Sequence, residues 1–249
     1  MATLRIGCAG WSLPRAQWPQ FPADGSHLER YAARFDTVEI DTSFHRPHQR
    51  ATYERWADST PARFRFAAKL PKTITHEQRL VGSMPAFDVF MSQVGGLGEK
   101  LGCLVVQLAP SHAFDPHVAG AFLQALRGRH AGAVALEPRH ASWFEPPADE
   151  LLARFQVARV LADPVLHAGG AAPGGWPDLI YLRLHGSPRT YWSPYDSSVL
   201  AQLGQRLRRA QADGISCWCI FDNTAGGEAI GNALALACDV HPERPTARP

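Results

Sequence analysis

Short runs rich in apolar and β-branched residues recur along the chain, and most are followed by a longer stretch with helical periodicity. The runs fall at residues 4–9, 38–43, 64–70, 103–108, 133–138, 159–163, 180–185 and 216–222, and the helical patterns at 26–33, 49–57, 85–97, 118–126, 148–155, 197–212 and 225–237. This alternation is the signature of repeated βα units around a parallel sheet. Eight strand-like runs in a chain of 249 residues match the roughly 250 residues of an eight-fold β/α barrel. The expected architecture is therefore α/β, a single (β/α)8 TIM-type barrel with parallel strands. It is expected to occupy residues 1–240 as one domain, with the Pro- and Arg-rich residues 241–249 as a flexible tail. Two long excursions, 71–85 and 167–177, follow strand ends and are expected to build walls of the barrel's active face.

Adjacent residues of a strand point to opposite sides, so parity sorts each run. Val38 and Ile40 oppose Glu39 and Asp41, Val134 and Leu136 oppose Glu137 and Arg139, and Ile180, Leu182 and Leu184 oppose Tyr181, Arg183 and His185. The aliphatic set suits the helix layer and the polar set the barrel lumen. Lys69, Gln107, Asp163 and Asp222 stand at or near the ends of further strands. Burying a charge costs several kcal/mol unless it is paired, so so many charges at one mouth point to a ligand site rather than to core stability.

Composition narrows the function classes. Apolar residues make up 45% and charged residues 19%, with a formal net charge of +2, which is ordinary globular composition without a global basic field. Nucleic acid is therefore a disfavoured partner. No apolar stretch reaches the ~18 residues of a membrane span, and no membrane partner is expected. Cys8, Cys103, Cys217, Cys219 and Cys238 lack a C-x-x-C spacing. They are expected to be reduced thiols in a cytoplasmic protein, with Cys217 and Cys219 packed as small hydrophobes against the helix layer.

An ordered set of motifs spans nearly the whole chain: Ile6-Gly7-Cys8-Ala9-Gly10-Trp11, Val38-Glu39-Ile40-Asp41-Thr42-Ser43-Phe44, Phe64-Arg65-Phe66 through Lys69, Ile74-Thr75-His76, Glu137-Pro138-Arg139-His140 with Trp143-Phe144, Ala162-Asp163, Tyr181-Leu182-Arg183-Leu184-His185-Gly186 and Phe221-Asp222-Asn223-Thr224. Together they resemble the YecE-like family, a domain of unknown function. The resemblance implies a TIM-type barrel and carries no agreed reaction, cofactor or catalytic assignment. Asp41 and His45 stand where that family usually has Asn and Tyr, which adds an acid and an ionisable ring.

The chemistry suggested by the residues is acid–base work on an anion. Arg139, Arg183 and Lys69 suit a phosphate or carboxylate. The expected catalytic set is Glu39, Glu137, His185, Asp163 and Asp222, with Glu137 or Glu39 working with His185. The expected ligand-binding set is Trp11, Asp41, Lys69, His76, Gln107, Arg139, His140, Arg183, Tyr191 and Asn223. The expected partner is a small anionic ligand or phosphoester, with no cofactor assigned. A divalent-metal hydrolase or isomerase, possibly directed at nucleic acid, is the competing reading, although His76-Glu77 lacks the second His of H-E-x-x-H. A non-catalytic binder or sensor is the third, with Trp11, Trp143, Trp176, Tyr191, Trp192 and Tyr195 as an aromatic rim stacking on a base or sugar, although loop packing suits Trp143 and Trp176 better. Gly186-Ser187 is not a G-x-S-x-G elbow, which argues against a serine hydrolase.

Overall fold

A computed structural model describes residues 2–240, so the tail expected at 241–249 lies outside the described residues. The strands are β1 (Leu4–Cys8), β2 (Thr37–Ile40), β3 (Arg65–Lys69), β4 (Leu101–Gln107), β5 (Ala133–Glu137), β6 (Val157–Arg159), β7 (Leu161–Asp163), β8 (Gly174–Gly175), β9 (Leu179–Leu184) and β10 (Ser216–Phe221). The helices are α1 (His27–Ala32), α2 (Arg50–Asp58), α3 (Met84–Val94), α4 (Pro116–Arg127), α5 (Pro146–Arg154), α6 (Ser197–Ala212) and α7 (Ala229–Val240). Several helix starts carry capping chemistry. Ser26 and Glu29 form a capping box on α1, Asp115 accepts from the first turn of α4, and Asp196 does the same for α6.

Two sheets, β1-β10-β9-β7 and β2-β3-β4-β5-β6-β8, make up the barrel wall. All their ladders are parallel except that of β8, which adds to β6 in antiparallel fashion. β6 and β7 are halves of one strand interrupted at Val160: the first half pairs with β5, the second with β9. Val160 keeps the wall continuous by donating its N–H to Leu136 O at 2.9 Å. This is the expected parallel α/β barrel, with one difference of detail in its strands. The second strand stops at Ile40 rather than 43, because residues Thr42–Phe44 coil into a 3₁₀ turn and the Ser43 hydroxyl donates to Ile40 O and Lys69 O. As the excursion expected at 167–177 implied, the sixth crossing, between β7 and β9, holds a short 3₁₀ turn and β8 but no α-helix. The Gly/Ala/Pro run there, from His167 to Pro177, has neither the length nor the periodicity for one.

Parity decides what each face of the wall contains. Val38, Ile40, Leu104, Val106, Val134, Leu136, Leu182, Leu184, Cys217 and Cys219 belong to the large apolar layer that also takes residues from the helices. Ala67, Cys103, Val105, Ala135, Ala158, Tyr181, Trp218 and Ile220 form the second, lumen cluster. All five cysteines are free, four of them buried. Among the described residues no helix is long and apolar enough to cross a membrane.

The wall has one seam. Between β1 and β2 there is only the isolated bridge of Ala9 with Glu39, reinforced by Gly10 N–H to Glu39 O at 2.9 Å. Below it the Tyr31 hydroxyl replaces the ladder: it accepts from Cys8 N–H at 2.8 Å and donates to Thr37 O at 2.9 Å. Gly7 lets the strands approach, since a side chain there would collide with the Thr37 carbonyl. Tyr31→Phe is therefore expected to destabilise the fold by roughly 1–3 kcal/mol for each backbone group left unpaired. Denaturant unfolding measures this, and an unchanged midpoint would show that the hydroxyl does not hold the seam.

Candidate functional site

The parity of β9 sends Tyr181, Arg183 and His185 toward the lumen, one above the other. Arg183 is fully buried at the centre. Its Nη2 donates to Glu39 Oε1 at 2.7 Å and to Asp222 Oδ2 at 3.0 Å, its Nε to Glu39 Oε1 at 3.1 Å, and its Nη1 to Glu137 Oε2 at 2.6 Å. The second oxygen of Glu39 accepts from the Tyr181 hydroxyl at 2.7 Å. Three strands and the end of a fourth thus converge on one guanidinium, whose rigid fork suits several carboxylates at once.

Above this layer, at the strand ends, lie Asp41, Lys69, Arg139 and His185; Asp41 keeps 38% of its side chain exposed, whereas Lys69 and His185 are buried. Lys69 Nζ lies 2.8 Å from Asp41 Oδ1 and over the Phe44 ring. Arg139 Nη2 is 2.5 Å from Glu137 Oε1, and Gln107 donates to Glu137 Oε2 at 3.2 Å. His185 lies between two carboxylates, its Nδ1 3.0 Å from Asp222 Oδ2 and its Nε2 3.4 Å from Glu137 Oε1. Neither ring nitrogen is aligned for a full hydrogen bond, and Arg139 Nε is buried without a partner. His76 packs edge-on against Phe44, and Tyr191 packs edge-on against His185 with centroids 5.5 Å apart.

The electrostatics separate the acids. Burial pushes the Glu39 carboxyl up, and Arg183 offsets this only in part. Burial also acts to raise Glu137, but Arg183, His185 and Arg139 overcome it and hold the group well below the usual carboxylate range. Asp41 follows the same logic, with Lys69 and Arg183 outweighing burial. Burial would deprotonate His185, yet Asp222 and Glu137 raise it above an ordinary histidine. His76 is lowered by burial and by the nearby Lys69, His112 and Arg139.

Of the expected site residues, the structure brings together Glu39, Asp41, Lys69, Gln107, Glu137, Arg139, Arg183, His185 and Asp222, with His76 and Tyr191 at the edge. Four do not join them. Asp163 pairs in register with Leu184, an outward residue; it receives the Tyr195 hydroxyl at 2.7 Å and lines a cleft beside α6. Asn223 ties the last loop to α7 by donating to Asn232 Oδ1 and Ser193 O. Trp11 packs against Trp56 of α2. His140 caps the turn at Ala141–Phe144 by accepting from Ser142 N–H. Glu39 belongs to the cluster but is sealed beneath Arg183, so it orients the guanidinium rather than facing the mouth.

Sequence reasoning left two contributors outside the site. Tyr181 shares the parity of Arg183 and His185, which is the signal that identifies it. His112, nearly buried with an unpartnered Nδ1, sits in a loop where no periodicity applies. Among the described residues no group of three or more His, Cys, Asp or Glu side chains is arranged to hold a metal ion. The reason is visible in the geometry: the carboxylates of Glu39, Glu137 and Asp222 all point at Arg183, which stands where a shared cation would be held.

The fold and site define a parallel α/β barrel with an ionic centre at the carboxyl ends of its strands. Over residues 5–249 the chain matches the family described as protein of unknown function DUF72, and it belongs to that family. It is 25% identical to the UPF0759 protein YunF of Bacillus subtilis over 93% of this chain and 92% of that protein. It is 30% identical to the UPF0759 protein YecE of Escherichia coli over 58% of this chain and 52% of that protein. Among solved structures, a DUF72 family protein from Enterococcus faecalis superposes with a TM-score of 0.80 at 20% identity over 96% of both chains. One from Thermotoga maritima gives 0.73 at 21% identity, covering 94% of this chain and 97% of that one. These likenesses establish the fold.

Two outcomes are expected of the ionic centre. Arg183→Met leaves Glu39 and Glu137 charged and buried, and should cost roughly 3–5 kcal/mol in denaturant unfolding; a variant as stable as the parent would show that the cluster does not depend on the guanidinium. His185 has a raised folded-state pKa, so its contribution is fully present below its unfolded value of about 6.5 and is lost as pH rises through the folded value. The stability gap between the parent and His185→Gln should therefore be widest near pH 6 and narrow towards pH 9. Melting temperatures of both proteins across that range check the sign, and a gap that widens with pH would reverse it.

Proposed function

We propose that this protein is an enzyme that binds a small anionic substrate, bearing phosphate or carboxylate, at the carboxyl-end mouth of the barrel and uses His185 for proton transfer. The observation that carries this reading is the flanking of His185 by Asp222 and Glu137 at 3.0 and 3.4 Å, with Arg139 Nη2 on the same Glu137 oxygen and Lys69 paired with Asp41 at the strand ends. Two carboxylates favour the imidazolium, so His185 is suited to give a proton to a substrate oxygen as negative charge develops on it. Asp41, with 38% of its side chain exposed, is the acid that faces the substrate space. Glu137 has both oxygens occupied by cations and donors. In this reading it and Glu39 hold the charged groups in place rather than accept protons. The free thiols fit a reducing, cytoplasmic setting.

Titration calorimetry with inorganic phosphate and with small carboxylates tests the binding half. Arg139→Ala and Lys69→Ala are each expected to weaken binding by about tenfold or more, since a hydrogen bond to a charged group is worth roughly 1.5–3 kcal/mol. His185→Gln is expected to retain binding and lose turnover on a panel of phosphoesters and sugar acids. No detectable heat with any anion on the parent protein would remove the basis of the proposal.

A further inference from the structure

The mouth is not uniformly polar. Val165 and Leu166 in the loop after β7, and Tyr191 and Trp192 in the loop after β9, are large apolar side chains left 40–56% exposed. Lone exposed hydrophobics are commonplace, but these four occupy two loops that follow hydrogen-bonded neighbouring strands, both at the barrel end where His185 lies.

The loop that carries the two rings is tied down. Tyr191 N–H donates to His185 O at 2.5 Å, Gly226 N–H donates to Tyr191 O at 3.2 Å, and Trp192 and Ser193 N–H both donate to Arg189 O. The Tyr195 hydroxyl takes Gly186 N–H at 2.8 Å, and Asn223 Nδ2 donates to Ser193 O at 3.0 Å. Gly226 must be glycine here, because a Cβ would strike the Trp192 carbonyl.

Within this clamp Tyr191 adopts φ = +69°, a conformation that is a genuine outlier for a bulky residue. Such strain costs of order a kcal/mol or more and persists only where the surroundings enforce it. Its result is specific: the Tyr191 ring stands edge-on to His185 while remaining 41% exposed, and the 47% exposed Trp192 follows it with the Arg189 guanidinium 4.5 Å from its centroid. A glycine would satisfy the backbone without strain, so the phenol is what the position retains. Aromatic rings on a fixed backbone lose little entropy when they bind a flat partner.

We infer that Tyr191 and Trp192 form a stacking wall for a nucleobase, so that the anion held at the mouth is the phosphate of a nucleoside monophosphate. This rests on the proposed anion site at Arg139 and Lys69 and adds the class of molecule that carries the anion. The wall lies on the β7–β9 side of the mouth, and the two cations project from β3 and the end of β5. A substrate touching both has an apolar flat end and a charged end. The base supplies the first and the phosphate the second, and every base presents a π face regardless of its identity.

Affinities for inorganic phosphate, ribose 5-phosphate, AMP and UMP, measured by calorimetry on the full chain, separate the possibilities. AMP and UMP are expected to bind at least about tenfold tighter than either base-free phosphate, and Trp192→Ala is expected to abolish that advantage. Tyr191→Gly is expected to reduce the advantage while melting no lower than the parent, because it relieves the strained backbone; a purely structural phenol would give a lower melting temperature. If phosphate binds and the nucleotides bind no tighter, the stacking wall is overturned while the anion site stands. If ribose 5-phosphate matches the nucleotides, the wall is likewise overturned in favour of a sugar site. If nothing binds, the anion site fails first. A self-associated form that shields Trp192 from quenching by iodide would also overturn the inference.

Discussion

One guanidinium, buried among carboxylates from three separate strands of the barrel, is the constraint on which the carboxyl end of this structure depends. Arg183 takes Glu39, Glu137 and Asp222 together. None of those acids could stay charged at such depth alone. The pairing then propagates outward: Glu137 uses its remaining capacity on Arg139, Gln107 and the edge of His185, and Asp222 on the other edge of the same ring. The two carboxylates that raise His185 are thus the ones Arg183 holds in place, although the guanidinium itself acts to lower it. The alternation of β9 alone sets this stack, since Tyr181, Arg183 and His185 are successive lumen-facing positions of one strand and its end.

Much of this was legible in the residues themselves. Two-residue periodicity separated wall from lumen on β2, β5 and β9, and it correctly assigned Cys217 and Cys219 to the outer layer. It failed where a strand loses regularity or ends. Asp163 follows the break at Val160 and lies on the outward parity with Leu184, and Asn223 is one residue past Asp222 and turned to the helix side. His140 and Trp11 are in loops, where orientation depends on tertiary partners that no periodicity encodes. What the sequence could not convey was rank. It placed Glu39 and Glu137 beside His185 as equals in chemistry, whereas depth and pairing make one a buried support and the other a saturated bridge.

Membership in the DUF72 family and the likeness to solved relatives from Enterococcus faecalis and Thermotoga maritima concern the scaffold. A barrel supports many chemistries by varying the loops at one end, so function has to be argued from the side chains there. In this chain cations and acids interleave there, Lys69 with Asp41 and Arg139 with Glu137, while Tyr191 and Trp192 follow β9 as exposed rings.

The absent helix of the sixth crossing bears on mechanics. Every other stretch of wall is braced by a helix, while the outer side of β7 faces a cleft shared with α6 and is backed by a loop. β6 and β7 also exchange partners at Val160. The strand next to this joint, β9, carries Arg183 and leads to His185. The interrupted strand and the missing helix thus meet beside the strand that holds the buried charges.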